Sequence, residues 1–242
     1  MELVLLRHAQ PQWTSEEGLG QSDPPLTVEG RRRAVDLGQT LGRQGFDSVT
    51  VSPYRRSQET AQGLFSQRSE MSWRTEPWLR EIGLPDLSAQ PAQQIDDFFG
   101  TFKARPLSAW WDGIPGGESF RDFHARVSKG LEGFLRGLGI TRMRPDCEHD
   151  RHLFVIPPEV LGRRHLLISH LGTSGLILSE LLHLELVPWV WESFALDWNG
   201  VVRLETVAIA DGHLFCLRVF NECGHRDPSL GHYADMGEGN GS

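Results

Sequence analysis

The sequence predicts one three-layer α/β domain built on a mixed sheet. Short apolar runs alternate with helical stretches along most of the chain, and the C-terminal part is rich in strand patterns. Two of the apolar runs end at a histidine, Leu3 to Leu6 before Arg7-His8 and His165 to Ser169 before His170. The 242 residues, 39% hydrophobic and 23% charged, can bury a sizeable core without disulfides or metal, and they do not describe a disordered chain or a coiled coil.

The elements follow in order. Leu3 to Leu6 is too short for a helix and suits a buried strand. Thr27 is an N-cap with Glu29 in the first turn, Ala34, Leu37 and Leu41 share one helical face, and Gly45 is the stop. Ser48 to Val51 reads as a strand and Arg55 to Gln67 as a helix. Residues 82–116 contain Pro85, Pro91, Pro106 and Pro115, and read as an irregular lid with a short helix around Gln93 to Phe102. From Glu118 to Leu138, Phe120, Phe123, Val127, Leu131, Phe134 and Leu138 recur at helical steps. Residues 139–164 read as a polar loop insertion. His165 to Ser169 is a strand and Gly172 to Leu182 a helix; Phe194 to Trp198, Val201 to Val207 and Leu214 to Phe220 read as strands. The domain is taken as residues 1–225, with 226–242 as a polar, Gly-rich tail.

The charge balance, 24 basic against 32 acidic residues, argues against nucleic acid or an anionic membrane as a general partner. No apolar run is long enough to span a bilayer, and Met1 to Arg7 does not read as a signal peptide. Three cysteines, Cys147, Cys216 and Cys223, cannot all pair within one chain, and reduced thiols in a cytoplasmic protein are the expectation.

In open α/β sheets, sites form beyond the carboxyl ends of strands. His8 and His170 stand at two such ends, and Ser52-Pro53-Tyr54-Arg55-Arg56 follows a third. One histidine after a strand reads as a polar cap, and one Arg-Arg pair as solvated surface. Their joint occurrence at three strand ends describes an anion pocket, because guanidinium forks and helix N-termini suit phosphate oxygens.

Further segments carry a family resemblance. Leu6-Arg7-His8-Ala9-Gln10, Asp23-Pro24-Pro25-Leu26-Thr27-Val28-Glu29-Gly30 and Ser52-Pro53-Tyr54-Arg55-Arg56-Ser57-Gln58-Glu59-Thr60-Ala61 come first. Leu79-Arg80-Glu81-Ile82, Gly116-Gly117-Glu118-Ser119 with Arg126-Val127, Ser169-His170-Leu171-Gly172 and Asn221-Glu222-Cys223-Gly224-His225 follow. Together and in this order they resemble the histidine phosphatase superfamily, also called phosphoglycerate mutase-like. The resemblance implies a three-layer α/β/α sandwich with a mostly parallel mixed sheet. It implies that His8 is the nucleophile, that Arg7, Arg56 and His170 bind the phosphoryl oxygens, and that Glu81 is general acid and then base. A phosphohistidine splits hydrolysis into two steps. His8 must attack with a neutral nitrogen, its proton held on the other one, and Glu81 must be buried enough to keep its proton beside arginines.

The chain departs from the family pattern at Ala9, Gln10, Thr14 and Leu171, and in the segment after Glu81. Thr14 stands where many members place a phosphate-binding Asn, and Gln21 is a substitute. Trp13, with the lid's Trp110 and Trp111, is expected on the leaving-group side. Asp86 and Glu118 are alternatives to Glu81, with Glu118 also reading as a helix-start charge. Arg55 is expected in solvent or in a salt bridge, and His225 at the site floor or as a strand cap.

The expected function is a metal-independent phosphatase acting on a small phosphomonoester. Phosphoglycerate mutase-type transfer and a non-catalytic phospholigand-binding module are the alternatives. No cofactor or metal is expected, and the protein is read as a monomer or homodimer. Cys147, His149 and His152 invite a zinc reading, but no fourth ligand or C-x-x-C pair accompanies them. A nucleotide P-loop, a dinucleotide fingerprint and a G-x-S-x-G elbow are absent.

Overall fold

A computed structural model describes residues 1–14, 20–68, 70–144 and 152–223. Its eight strands form one mixed sheet: β1 (Glu2–Arg7), β2 (Ser48–Val51), β3 (Arg74–Thr75), β4 (Thr141–Met143), β5 (Leu153–Val155), β6 (Arg164–Ser169), β7 (Val201–Ile209) and β8 (Gly212–Glu222). The order is β3-β2-β6-β1-β7-β8-β5-β4. Strands β3, β2, β6 and β1 are parallel, and β1 to β7, β7 to β8, β8 to β5 and β5 to β4 are antiparallel.

Alternation along β1 divides the core. Leu3 and Leu5 face a cluster containing Phe123, Val127, Leu131, Leu176 and Leu178, from α4 (Phe120–Gly137) and α5 (Leu171–Leu181). Val4 and Leu6 face a second cluster containing Ala61, Leu64 and Phe65. That second layer is α1 (Val28–Gly38) against α2 (Arg55–Leu64). Both faces of β1 are covered, which is why its sequence is an unbroken apolar run.

Thr27 caps α1 by accepting the Gly30 N–H at 2.9 Å, as expected. The helix ends at Gly38, well before Gly45, and α2 approaches so closely there that a β-carbon at Gly38 would lie 2.5 Å from the Leu64 carbonyl oxygen. Helix α2 likewise stops at Leu64, not Gln67. Ser119 caps α4, accepting the Asp122 N–H at 3.0 Å. The buried stripe of α4 runs Phe120, Phe123, Val127, Leu131 and Leu135, with Phe134 and Leu138 only partly buried.

The short helix expected around Gln93 to Phe102 is α3 (Ala92–Lys103), and a 3-10 helix at Leu107–Asp112, whose Trp110 is buried, follows it in the same region. Two expectations need correction. Residues 139–164 are not simply a loop. They carry β4 and β5, because fully buried Phe154 packs edge-on against Phe215 and extends the antiparallel side of the sheet. Phe194 to Trp198 is not a strand: it leads into a turn held by side chains, where Asn221 Oδ1 accepts the Asp197 N–H at 2.9 Å. The stretch 226–242 lies outside the described residues.

Candidate active site

Register brings the predicted residues together. Arg7 pairs with Ser169, so His8 and His170 both emerge one residue past adjacent strand ends. Their rings lie 5.0 Å apart between centroids. Val51 pairs with Ile168, which leaves Ser52 and the start of α2 at the same edge.

His8 is buried, and its Nδ1 lies 2.7 Å from the Ala9 carbonyl oxygen. A carbonyl can only accept, so Nδ1 carries the proton and Nε2 keeps its lone pair. Burial, then the charges of Arg56 and Arg7, hold the imidazole pKa well below its ordinary range. The ring is thus a neutral nucleophile with one nitrogen available. The neighbouring Ala9 N–H is held by Thr60 Oγ1 at 3.0 Å.

His170 is also neutral, by a different arrangement. Arg56 Nε donates to His170 Nδ1 at 3.3 Å, so the ring's proton is on Nε2, which faces Ser52 Oγ at 2.8 Å. Burial leads, and Arg56, His8 and Arg7 add to it, in keeping its pKa far down. His170 therefore lies in the same buried pocket as Arg7 and Arg56, in contact with the Arg56 guanidinium.

Arg56 is only 1% exposed and lies between two aromatic rings, 4.5 Å from the centroids of Trp13 and Tyr54. Its Nη1 donates to the Ser22 carbonyl at 3.3 Å and approaches Asp23 at 3.4 Å. Asp23 also accepts the Arg55 N–H with both oxygens, at 2.8 and 3.0 Å, and so caps α2. Arg7 Nη1 donates to the Leu196 carbonyl at 2.6 Å, with Trp198 5.6 Å from its guanidinium carbon.

The Glu81 carboxylate is buried at the N-terminus of α5. It accepts the Gly172, Ile82 and Thr173 N–H groups at 2.9, 3.1 and 3.2 Å. Burial raises its pKa, outweighing these N–H groups and the charges of Arg56 and Arg7. The arrangement can hold a proton on a carboxyl beside two arginines.

Of the alternatives, Asp86 is exposed, accepts the Ser88 N–H at 3.0 Å and is held below the usual carboxylate range. Glu118 is taken up by Arg126 at 2.6 Å. Trp13 is at Arg56, and its indole N–H donates to the Gln21 carbonyl at 2.5 Å. Gln21 thus adjoins the segment that holds Arg56. Thr14 ends the 3-10 helix Gln12–Thr14. Trp111 packs edge-on against Phe120 in the core. Arg55 is exposed and paired with Glu59. Cys147, His149 and His225 lie outside the described residues, while His152 packs edge-on against Phe154 and His183.

Sequence reading did not single out Ser52, Tyr54, Asp23, Trp198 or the Leu196 carbonyl as functional. Ser52, Tyr54 and Asp23 lie inside recognised motifs, which was the available signal. Leu196 and Trp198 had none, since their role depends on the turn that Asn221 holds.

The buried histidines make stability depend on pH. An unfolded imidazole titrates near 6.5, whereas His8 and His170 stay neutral in the fold well below that. As pH falls through about 6.5 the unfolded chain takes up protons that the folded His8 and His170 do not, so stability falls as pH falls. Glu81 acts oppositely: its raised pKa contributes stability at low pH that is lost as pH rises through the folded value. Urea melts between pH 7 and 5.5 are expected to show a declining stability whose slope is reduced, not abolished, in His8→Asn/His170→Asn, because burial also lowers the pKa of His152 and His165; an unchanged slope would contradict the assignment.

A model of the histidine phosphatase superfamily (branch 1) matches residues 3–139. A curated relative from Cronobacter sakazakii, named "Probable phosphoglycerate mutase GpmB", is 27% identical over 186 residues, 76% of each protein. The solved α-ribazole phosphatase from Shigella flexneri shares the fold, with TM-score 0.65 and 22% identity over 92% of this chain and 96% of that one. Mycobacterial glucosyl-3-phosphoglycerate phosphatase, solved with inorganic phosphate, has TM-score 0.63 and 26% identity over 91% of this chain and 97% of that one.

Proposed function

The chain belongs to the histidine phosphatase superfamily, and from that membership we propose that it hydrolyses a small phosphomonoester through a phosphohistidine on His8, without a metal. The observation that carries this reading is His8 with Nδ1 committed to the Ala9 carbonyl and its Nε2 lone pair available, in a pocket that also holds Arg7, Arg56 and the buried Glu81, whose pKa burial raises.

The steps balance. The Nε2 lone pair forms a bond to phosphorus as the phosphorus–oxygen bond to the leaving group breaks. The Glu81 proton passes to the departing oxygen. Water then attacks phosphorus, its proton passes to Glu81, and the nitrogen–phosphorus bond breaks with the electron pair returning to Nε2. Arg7 and Arg56 neutralise the phosphoryl oxygens throughout. His170 is read as a further ligand of the phosphoryl oxygens, and Thr14, Gln21 and Trp13 as substrate-binding residues.

A mutase is the second reading, favoured by the name of the curated relative. It would return the phosphoryl group to another hydroxyl of glycerate instead of to water. The segment after Glu81, Ile82-Gly83-Leu84-Pro85-Asp86, lacks the extended stretch typical of mutases, which supports hydrolysis. Incubation with 3-phosphoglycerate, with p-nitrophenyl phosphate and with the phosphate esters named for the solved relatives separates the two. Free phosphate released equally with and without EDTA is expected. Formation of 2-phosphoglycerate would establish the mutase, and loss of activity in EDTA would overturn the metal-free mechanism. Binding of these esters without any turnover would instead identify a non-catalytic module.

A further inference from the structure

We infer that the Glu118–Arg126 ion pair is a positioning device for Glu81, holding the main chain on both sides of the acid. This rests on the reading of Glu81 as general acid.

Glu81 lies in a segment with little secondary structure of its own. The 3-10 helix Pro77–Leu79 ends just before it, and residues 80–87 belong to no helix or strand. Arg126, in the second turn of α4, supplies the missing donors. Its Nη1 donates to the carbonyls of Trp78 at 3.0 Å and Arg80 at 3.1 Å, and its Nη2 to the carbonyl of Glu81 itself at 3.2 Å. The same guanidinium forms a fork with Glu118, at 2.9 Å from Nε and 2.6 Å from Nη2.

Glu118 then reaches the other side of the acid. Its Oε2 accepts the Gly83 N–H at 3.0 Å, and its own N–H donates to the Gly83 carbonyl at 2.7 Å. Gly83 suits this contact, because a β-carbon there would lie 3.2 Å from the Glu118 β-carbon. One ion pair thus grips residues 78 to 81 and residue 83. The carboxyl between them is aimed at the N-terminus of α5, and Thr173 Oγ1 adds a bond to the Arg80 carbonyl at 2.8 Å. A planar guanidinium with five donors can satisfy several carbonyls and a carboxylate together, whereas an ammonium cannot reproduce the fork.

A positioning role has a kinetic signature that a purely structural one lacks. A misplaced acid slows esters with poor leaving groups, which need protonation, and spares an activated aryl ester. The phosphorylation step is read by kcat/KM. Arg126→Gln, Arg126→Lys, Glu118→Gln and Glu81→Gln would be assayed with glycerol 2-phosphate and p-nitrophenyl phosphate across pH, after circular dichroism confirms folding. Arg126→Gln is expected to lower kcat/KM on the alkyl ester by about 10²-fold, within the usual range of general acid catalysis, and on the aryl ester by under about threefold. Arg126→Lys should recover part of the loss, and Glu118→Gln should show the same selectivity more weakly. Glu81→Gln/Arg126→Gln should be no slower on the alkyl ester than Glu81→Gln alone, because the clamp acts through the acid.

Equal losses on both esters would overturn the inference and leave a structural ion pair. So would a selective loss in Glu81→Gln that Arg126→Gln and Glu118→Gln fail to reproduce. A Glu81→Gln variant with no leaving-group selectivity would remove the acid reading itself, and the clamp's catalytic meaning with it. If Arg126→Gln does not fold, Arg126→Lys and Glu118→Gln decide the question.

Discussion

His8→Ala is expected to lower kcat/KM on every phosphate ester by at least about 10³-fold. Of the two pocket histidines among the described residues, only His8 has a ring nitrogen that hydrogen bonding leaves available for attack: its Nδ1 is committed to the Ala9 carbonyl, whereas His170 has Nδ1 facing Arg56 and Nε2 facing Ser52. Rapid acid-free quenching followed by intact-mass analysis checks the chemistry directly. Wild type should show a transient phosphoryl adduct, Glu81→Gln with p-nitrophenyl phosphate should accumulate it, and His8→Ala should show none. The aryl ester needs little help from an acid to phosphorylate His8, but hydrolysis of the adduct still needs a base to take the proton from water. An adduct that persists in His8→Ala would place the nucleophile elsewhere.

Arg56→Met should have the second large effect, a loss of at least about 10²-fold in kcat/KM, with inorganic phosphate binding weakened as well. Arg56 is buried at 1% exposure, stacked at 4.5 Å against Trp13 and Tyr54, and tied to His170, Ser22 and Asp23. It is held rigid before any phosphate arrives, so little reorganisation is required on binding. Arg56→Lys should remain well below wild type, since an ammonium keeps the charge but loses the planar stack and the fork. The fold should tolerate both changes better than the reaction does. Removing this buried cation relieves the neighbouring imidazoles, whose pKa values it depresses. Phosphate inhibition constants and thermal melts measured on the same samples test the two parts. A variant that folds and binds phosphate normally would remove Arg56 from the anion site.

Much of the architecture was legible because its signals are local. The buried strands β1 and β6 are continuous apolar runs, and α4 shows its core face at three- and four-residue steps. Thr27 announces its helix by the chemistry of a single side chain. The misread segments are those where tertiary contacts override the local pattern. Phe194 to Trp198 has strand-like residues but is drawn into a turn by Asn221, and the polar stretch around Phe154 becomes sheet because one aromatic ring is buried against β8.

The same division holds at the site. The chemical inventory was readable from local motifs: two histidines and an arginine-bearing turn after three strands, and an acid before the α4 motif. Those residues sit in short contiguous motifs, and a strand end fixes where its next side chain emerges. Their orientation and the direction of their pKa shifts come from contacts between distant segments. The partners that set them are distant along the chain, as with Arg7 and Leu196, 189 residues apart, or Arg56 and His170, 114 apart. Which imidazole nitrogen keeps its lone pair, whether Glu81 retains its proton, and how Arg126 reaches the acid all depend on burial and on hydrogen bonds between elements that meet only when the sheet is assembled.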